Sequence, residues 1–136
     1  MTMQMFINVP VKDLDRSKGF FEALGFKVNA QFTNEQAACI VVSEHHYIML
    51  LVEPFFATFT PKTLVDAKTQ TEQLVALSHP SREAVDAIVA AAVAAGGRSY
   101  AKPVDHGFMY QWGFEDLDGH LWEHFWMDPA AVNPVT

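Results

Sequence analysis

The stretch DLDGHLWEHFWMDP (116–129) sets a single carboxylate, Glu123, inside a strand that also carries Trp122, Phe125 and Trp126. A Glu in so apolar a setting can serve as a metal ligand, a general base or a rim charge. The other donors that could reach a metal are His45, His46, His106, His120 and His124. Neighbouring residues of a strand face opposite ways, so His45 and His46 do not chelate together when extended. For the same reason His124 lies opposite in parity to Glu123. No H-x-x-x-H spacing is present, and these histidines read as surface or turn residues. A second pattern lies upstream: in HGFMYQWGF, His106, Phe108, Tyr110 and Trp112 alternate with Gly107, Met109, Gln111 and Gly113. One face is therefore aromatic. It can be core, or it can be a wall that stacks a planar ligand, with the Tyr110 hydroxyl and His106 as polar handles.

The elements that must position these residues follow from the rest of the chain. Its 136 residues suit one domain of ordinary size, with half of them apolar, enough for a core. A formal charge of −7 argues against a nucleic-acid partner, because phosphate binding needs a basic surface. Cys39, the single cysteine, precludes an internal disulfide and a zinc ribbon, and in AACIVV it reads as a buried, inert thiol. No apolar run approaches the roughly 18 residues of a membrane span, and no basic segment precedes an apolar run at the start. A cytoplasmic protein with no membrane partner is expected.

Hydrophobic periodicity divides the chain into two copies of one unit. Ile7, Val9 and Val11 alternate in a first strand. A helix capped by Asp13 or Asp15 follows, with Leu14, Phe20, Phe21 and Leu24 on its apolar face and Gly25 as its stop. Strands are expected over about 26–32 and 37–43, then YIMLLVE up to Pro54. The second half repeats the order: strand EQLVALS, a helix from the cap Ser81 to Gly96–Gly97, a short strand at 98–101, then FMYQWGFED and LWEHFWM. Each half is βαβββ, over about 1–54 and 72–129, within one domain spanning 1–136. The connection 54–71, PFFATFTPKTLVDAKTQT, is long for a compact domain. Its Phe55, Phe56 and Phe59 can cover a cavity or pack on a partner chain, or simply pin the segment to the core.

Through VPVKDLDRSKGFFEALGF, FEDLDGHLWEHFW and the paired βαβββ order, the sequence resembles the vicinal oxygen chelate superfamily over nearly its whole length. That superfamily includes glyoxalase I, bleomycin and fosfomycin resistance proteins and extradiol dioxygenases. The resemblance implies an α+β fold whose two modules form curled mixed sheets around a shared cavity, often within a homodimer.

The resemblance also implies where a metal would bind: His, Gln or Glu in each first strand and Glu in each last strand. Counting back from Asp13 puts the first such position at Phe6, and counting back from Ser78 puts its counterpart at Leu74. The fourth strand of module one offers Ile48 or Met49. Only Glu123 matches. Shifting the register by one offers Met5 or Ile7, and Gln73 or Val75, of which Gln73 alone could ligate. The expectation is a protein without the usual metal, Glu123 being a ligand only if one is present.

By resemblance, the Glu123 face, with Leu121 and Phe125, points into the cavity, together with Phe6 and Asn8. The expected ligand-binding set is then Phe6, Asn8, Met49, Leu74, His106, Phe108, Tyr110, Trp112, Glu123 and Phe125. Two functions compete. One is a glyoxalase/bleomycin-resistance-like protein that holds a small aromatic or amphipathic molecule and uses no cofactor. The other is an enzyme like lactoylglutathione lyase, or a dioxygenase, with a divalent ion such as Zn or Ni and Glu123 as ligand or base.

Overall fold

In the first half, the side chains at Ile7, Val9 and Val11 turn toward a helix and the alternate ones turn away. The structure, a computed structural model, describes residues 2–131; Met1 and residues 132–136 lie outside the described residues. The chain divides into two units, Met1–Val65 and Asp66–Thr136.

Unit one runs β1 (Met5–Val11), α1 (Leu14–Ala23), β2 (Lys27–Asn29), β3 (Ala37–Val41), β4 (His46–Val52) and α2 (Glu53–Ala57). Its sheet has the order β1-β4-β3-β2, with β1 parallel to β4 and the other pairs antiparallel. Asp13 caps α1 by accepting from the Arg16 amide at 3.1 Å. Gly25, at φ 100°, takes the left-handed turn that follows the helix. Leu14, Phe20 and Phe21 are buried, as are Val9, Val11, Ile48 and Leu50 of the strands. Cys39 is fully buried, and burial pushes its thiol pKa up.

Two expectations need correction here. The strand expected over 26–32 stops at Asn29, whose side chain accepts from the Gln31 amide and opens a 3-10 turn over Ala30–Phe32. Pro54 does end β4, but it also stands in the first turn of α2, where its missing N–H costs nothing. The connection is therefore partly helical.

Unit two runs β5 (Val75–Ser78), α3 (Arg82–Ala94), β6 (Val104–Asp105), β7 (Met109–Glu115) and β8 (Leu121–Met127). The order is β5-β8-β7-β6, with β5 parallel to β8. Ser81 caps α3 through the Ala84 amide at 3.1 Å. Val85, Ile88, Val89 and Ala92 bury its inner face against β7 and β8. The strand expected at 98–101 is reduced to one bridge, Arg98 to Glu115, and the edge strand proper is β6. Each unit is thus an α+β layer of four mixed strands. Among the described residues no helix is long and apolar enough to cross a membrane.

The β7–β8 turn is organised by one buried side chain. Asp116 Oδ1 accepts from the amides of Asp118 (2.9 Å) and His120 (3.0 Å), and Oδ2 accepts from Trp122 Nε1 at 2.8 Å. Burial pushes the Asp116 carboxyl pKa up, against the pull of these donors. Gly119 completes the turn at φ 98°, and a Cβ there would lie 2.6 Å from the Ala67 carbonyl oxygen. Replacing Asp116 removes the acceptor of three N–H groups, one of them on the buried Trp122 indole. Asp116→Ala is expected to cost about 2–4 kcal/mol, read as a lower urea midpoint with an unchanged slope.

Candidate functional site

Cross-strand partners share a face of a sheet, so the ladders of unit two sort its side chains. Ala76, Glu123 and Gly113 form one row, and Ser78, Phe125 and Gln111 the next. This is the face away from α3. Val75, Trp122 and Phe114 form a row of the opposite face, followed by Leu77, His124 and Trp112, then Trp126 and Tyr110.

This register corrects the expected aromatic wall. Tyr110 and Trp112 lie on the α3 face, opposite to Glu123. Tyr110 Oη donates to Asp86 Oδ1 of α3 at 2.5 Å. Trp126, beside it, carries the Arg82 guanidinium 4.4 Å above its ring. The physical reason is volume: α3 presents Val, Ile and Ala, and bulky rings from the sheet fill the space beneath it. His106 and Phe108 belong to the loop before β7 and are exposed, their rings 6.2 Å apart. Of the expected set, unit two therefore groups Glu123 with Phe125, while exposed Leu74 precedes β5 by one residue. In unit one, Phe6 stacks on Tyr47 at 4.7 Å, and Asn8 pairs with Met49 on that same face, away from α1. Counted from the helix caps, Asn8 corresponds to Ala76, so Met49 is the ladder counterpart of Glu123.

Glu123 has a partner that sequence reasoning missed. Tyr100 Oη donates a short hydrogen bond to Glu123 Oε1. The bridge between Arg98 and Glu115 sets Tyr100 opposite Gly113, and the phenol crosses the space above that glycine. A Cβ on Gly113 would lie 2.6 Å from Tyr100 Oη, 2.8 Å from Glu123 Oε2 and 3.0 Å from the Trp122 carbonyl oxygen. On either side of Tyr100 the segment is pinned: Trp112 Nε1 donates to the Ala101 carbonyl (2.8 Å) and to Ser99 Oγ (3.0 Å), and Arg98 pairs with Glu115 at 2.7 Å. Burial, then the hydrogen bond to Glu123, push the Tyr100 phenol pKa far up, so Tyr100 holds its proton and acts as the donor. The one sequence clue was Gly113 itself, since a glycine inside a strand often marks close approach by another group.

This arrangement does not fit a divalent metal. Such ions are held by several N or O donors. Here Glu123 is flanked in its row by Ala76 and Gly113, and Oε1 is engaged by Tyr100. Among the described residues no three His, Cys, Asp or Glu side chains are grouped to hold an ion.

Below the sheet lies a second polar feature. His124 is not at the surface: it is 1% exposed, stacked on Phe114 at 5.1 Å, with Nδ1 2.8 Å from His79 Nε2. Its Nε2 is buried without a partner. Burial, with the nearby His79, lowers the His124 pKa from 6.5 to about 3, and burial lowers that of His79. The pair is therefore neutral, one ring donating to the other. The unfolded chain takes up protons below pH 6.5 that the folded chain refuses, so stability is full above that pH and falls as pH drops toward 3. The fall is expected at roughly 1 kcal/mol per pH unit from His124. His124→Phe keeps the stacking, so its urea-derived stability should decline less steeply than that of the wild type between pH 6 and pH 4. Gly113→Ala should remove the Tyr100–Glu123 bond and lower stability by about 1–3 kcal/mol; thermal denaturation of this variant beside Tyr100→Phe separates the clash from the lost bond.

Comparison with known proteins places this geometry. The family model described as bleomycin resistance protein-like N-terminal matches residues 4–43, most of unit one. No curated protein matches the sequence. Among solved structures, the hypothetical protein SA1046 from S. aureus shares 28% identity, over 92% of this chain and 94% of that one, with a TM-score of 0.78. A glyoxalase/bleomycin resistance protein/dioxygenase family enzyme from Burkholderia phytofirmans PsJN shares the fold at 16% identity, over 93% and 99% of the two chains, with a TM-score of 0.75. A glyoxalase-related enzyme from Fulvimarina pelagi does so at 17% identity, over 93% and 88%, with a TM-score of 0.77. The fold is the glyoxalase/bleomycin resistance protein/dioxygenase architecture expected from the resemblance to the vicinal oxygen chelate superfamily, and the family model supports that likeness over residues 4–43.

Proposed function

We propose that this chain is a small-molecule-binding protein of that superfamily, working without the usual metal centre and holding an aromatic or amphipathic compound. The observation that carries this is the state of Glu123. It is a half-buried carboxylate, already hydrogen-bonded by a protein phenol, flanked in its own row by Ala76 and Gly113, while the other carboxylate of that face, Glu115, is paired with Arg98. A carboxylate so held serves as a polar anchor within an apolar surface, the usual composition of small-molecule sites. It lacks the companions that would let it act as one ligand among several. An exposed Phe59 and Val65 support the further reading that the protein is a homodimer using the 54–65 segment as a contact; sedimentation would return a monomer mass if it is not.

The test combines metal analysis of the purified protein with thermal shift in the presence of naphthol. The expected result is substoichiometric metal and a rise in melting temperature that grows with naphthol concentration. Glu123→Gln should weaken that shift severalfold. Stoichiometric Zn, Ni, Co or Fe would overturn the reading in favour of a metal-dependent lyase or dioxygenase.

A further inference from the structure

Resting on the binding reading above, we propose that the site selects a protonated primary amine on an aromatic or apolar body, received by Glu123 Oε2 while Tyr100 occupies Oε1. Tyr100 is then a positioning residue: it acts on the ligand only through the carboxylate it holds.

Three observations carry this. First, the two carboxylate oxygens are inequivalent. Oε1 accepts from Tyr100, whereas Oε2 lies beside Gly113, where a Cβ would come within 2.8 Å. Gly113, without a side chain, and Ala76, with a small one, flank Glu123 in its row, and a Cβ at position 113 would crowd Oε2. Second, the neighbouring cations are spent. Arg98, two residues from Tyr100, is held by Glu115, and Arg82 is held on the α3 side by Asp105 and the Gly107 carbonyl. Glu123 therefore meets a ligand as an acceptor and a negative charge, with a hydroxyl rather than a cation as its protein partner. A carboxylate-bearing ligand would be repelled. The chain's formal charge of −7 favours approach of a cation in the same sense. Third, the same face offers Leu121 and Phe125 for the apolar body.

The inequivalence makes the choice of cation sharp. An amidinium or guanidinium binds best when two parallel N–H groups meet both oxygens of a carboxylate. Tyr100 takes one of those oxygens, leaving a single-point acceptor that an ammonium satisfies fully.

Calorimetric titration at neutral pH and low salt, with naphthylmethylamine, naphthamidine and naphthylmethanol, tests this. The wild type should bind the amine about tenfold or more tighter than the neutral alcohol, and no more weakly than the amidine. Glu123→Gln should bring amine and alcohol together. In Tyr100→Phe the amidine should gain about threefold or more on the amine, a ratio that a merely structural role would not move. An amine that binds no tighter than the alcohol overturns the inference but leaves the binding reading standing. An unchanged amidine-to-amine ratio in Tyr100→Phe overturns the role of Tyr100. If none of the three binds, both this inference and the binding reading fall.

Discussion

Asp116 accepts three N–H groups at the end of the β7–β8 hairpin, two from the turn and one from the buried indole of Trp122. That contact holds the two strands in one register, and the register decides the chemistry of the second unit. A slip by one residue would turn every side chain of a strand to the other face. Glu123 would then lie beneath α3 and His124 would lose both its ring partner and its place on Phe114. The acidic turn that looks like a surface feature is thus an internal one, and its carboxylate stays buried because each acceptor oxygen is used.

Much of the fold was legible because its causes are local. Asp13 and Ser81 precede apolar periodic runs, and Gly25 and Gly96 stand where each helix must stop, so both helices follow from a few adjacent residues. The span 121–127 alternates cleanly and forms β8 over those same residues. Strand ends were less legible where a side chain intervened, as Asn29 does in ending β2.

The candidate site was legible only in part, because its contacts are long-range. Alternation gave two faces for the segment around Tyr110 and Trp112, but not which face meets α3; that depends on the volume the helix leaves to be filled. Tyr100 reaches Glu123 across 23 residues of chain, and His79 reaches His124 across 45. Nothing local in RSYAK or in LSHPS announces either partner. Gly113 was the trace left in the sequence. Its backbone is unremarkable in φ, so the reason for a glycine is the room needed by a neighbour rather than a turn.

The pairing of His79 with His124 also orders events in time. β7 and β8 are joined by a short turn and can zip together early. β5 reaches β8 only after the crossover through α3, a non-local parallel pairing that forms slowly. His79, just past the end of β5, must meet its partner ring in neutral form at that late docking step. In mild acid the unfolded chain carries protons on both rings, and it has to shed them before the strand can seat. The buried pair therefore makes the final closure of the second sheet a proton-sensitive stage of folding, separate from the hairpin turn, whose own sensitivity lies in the Asp116 carboxyl.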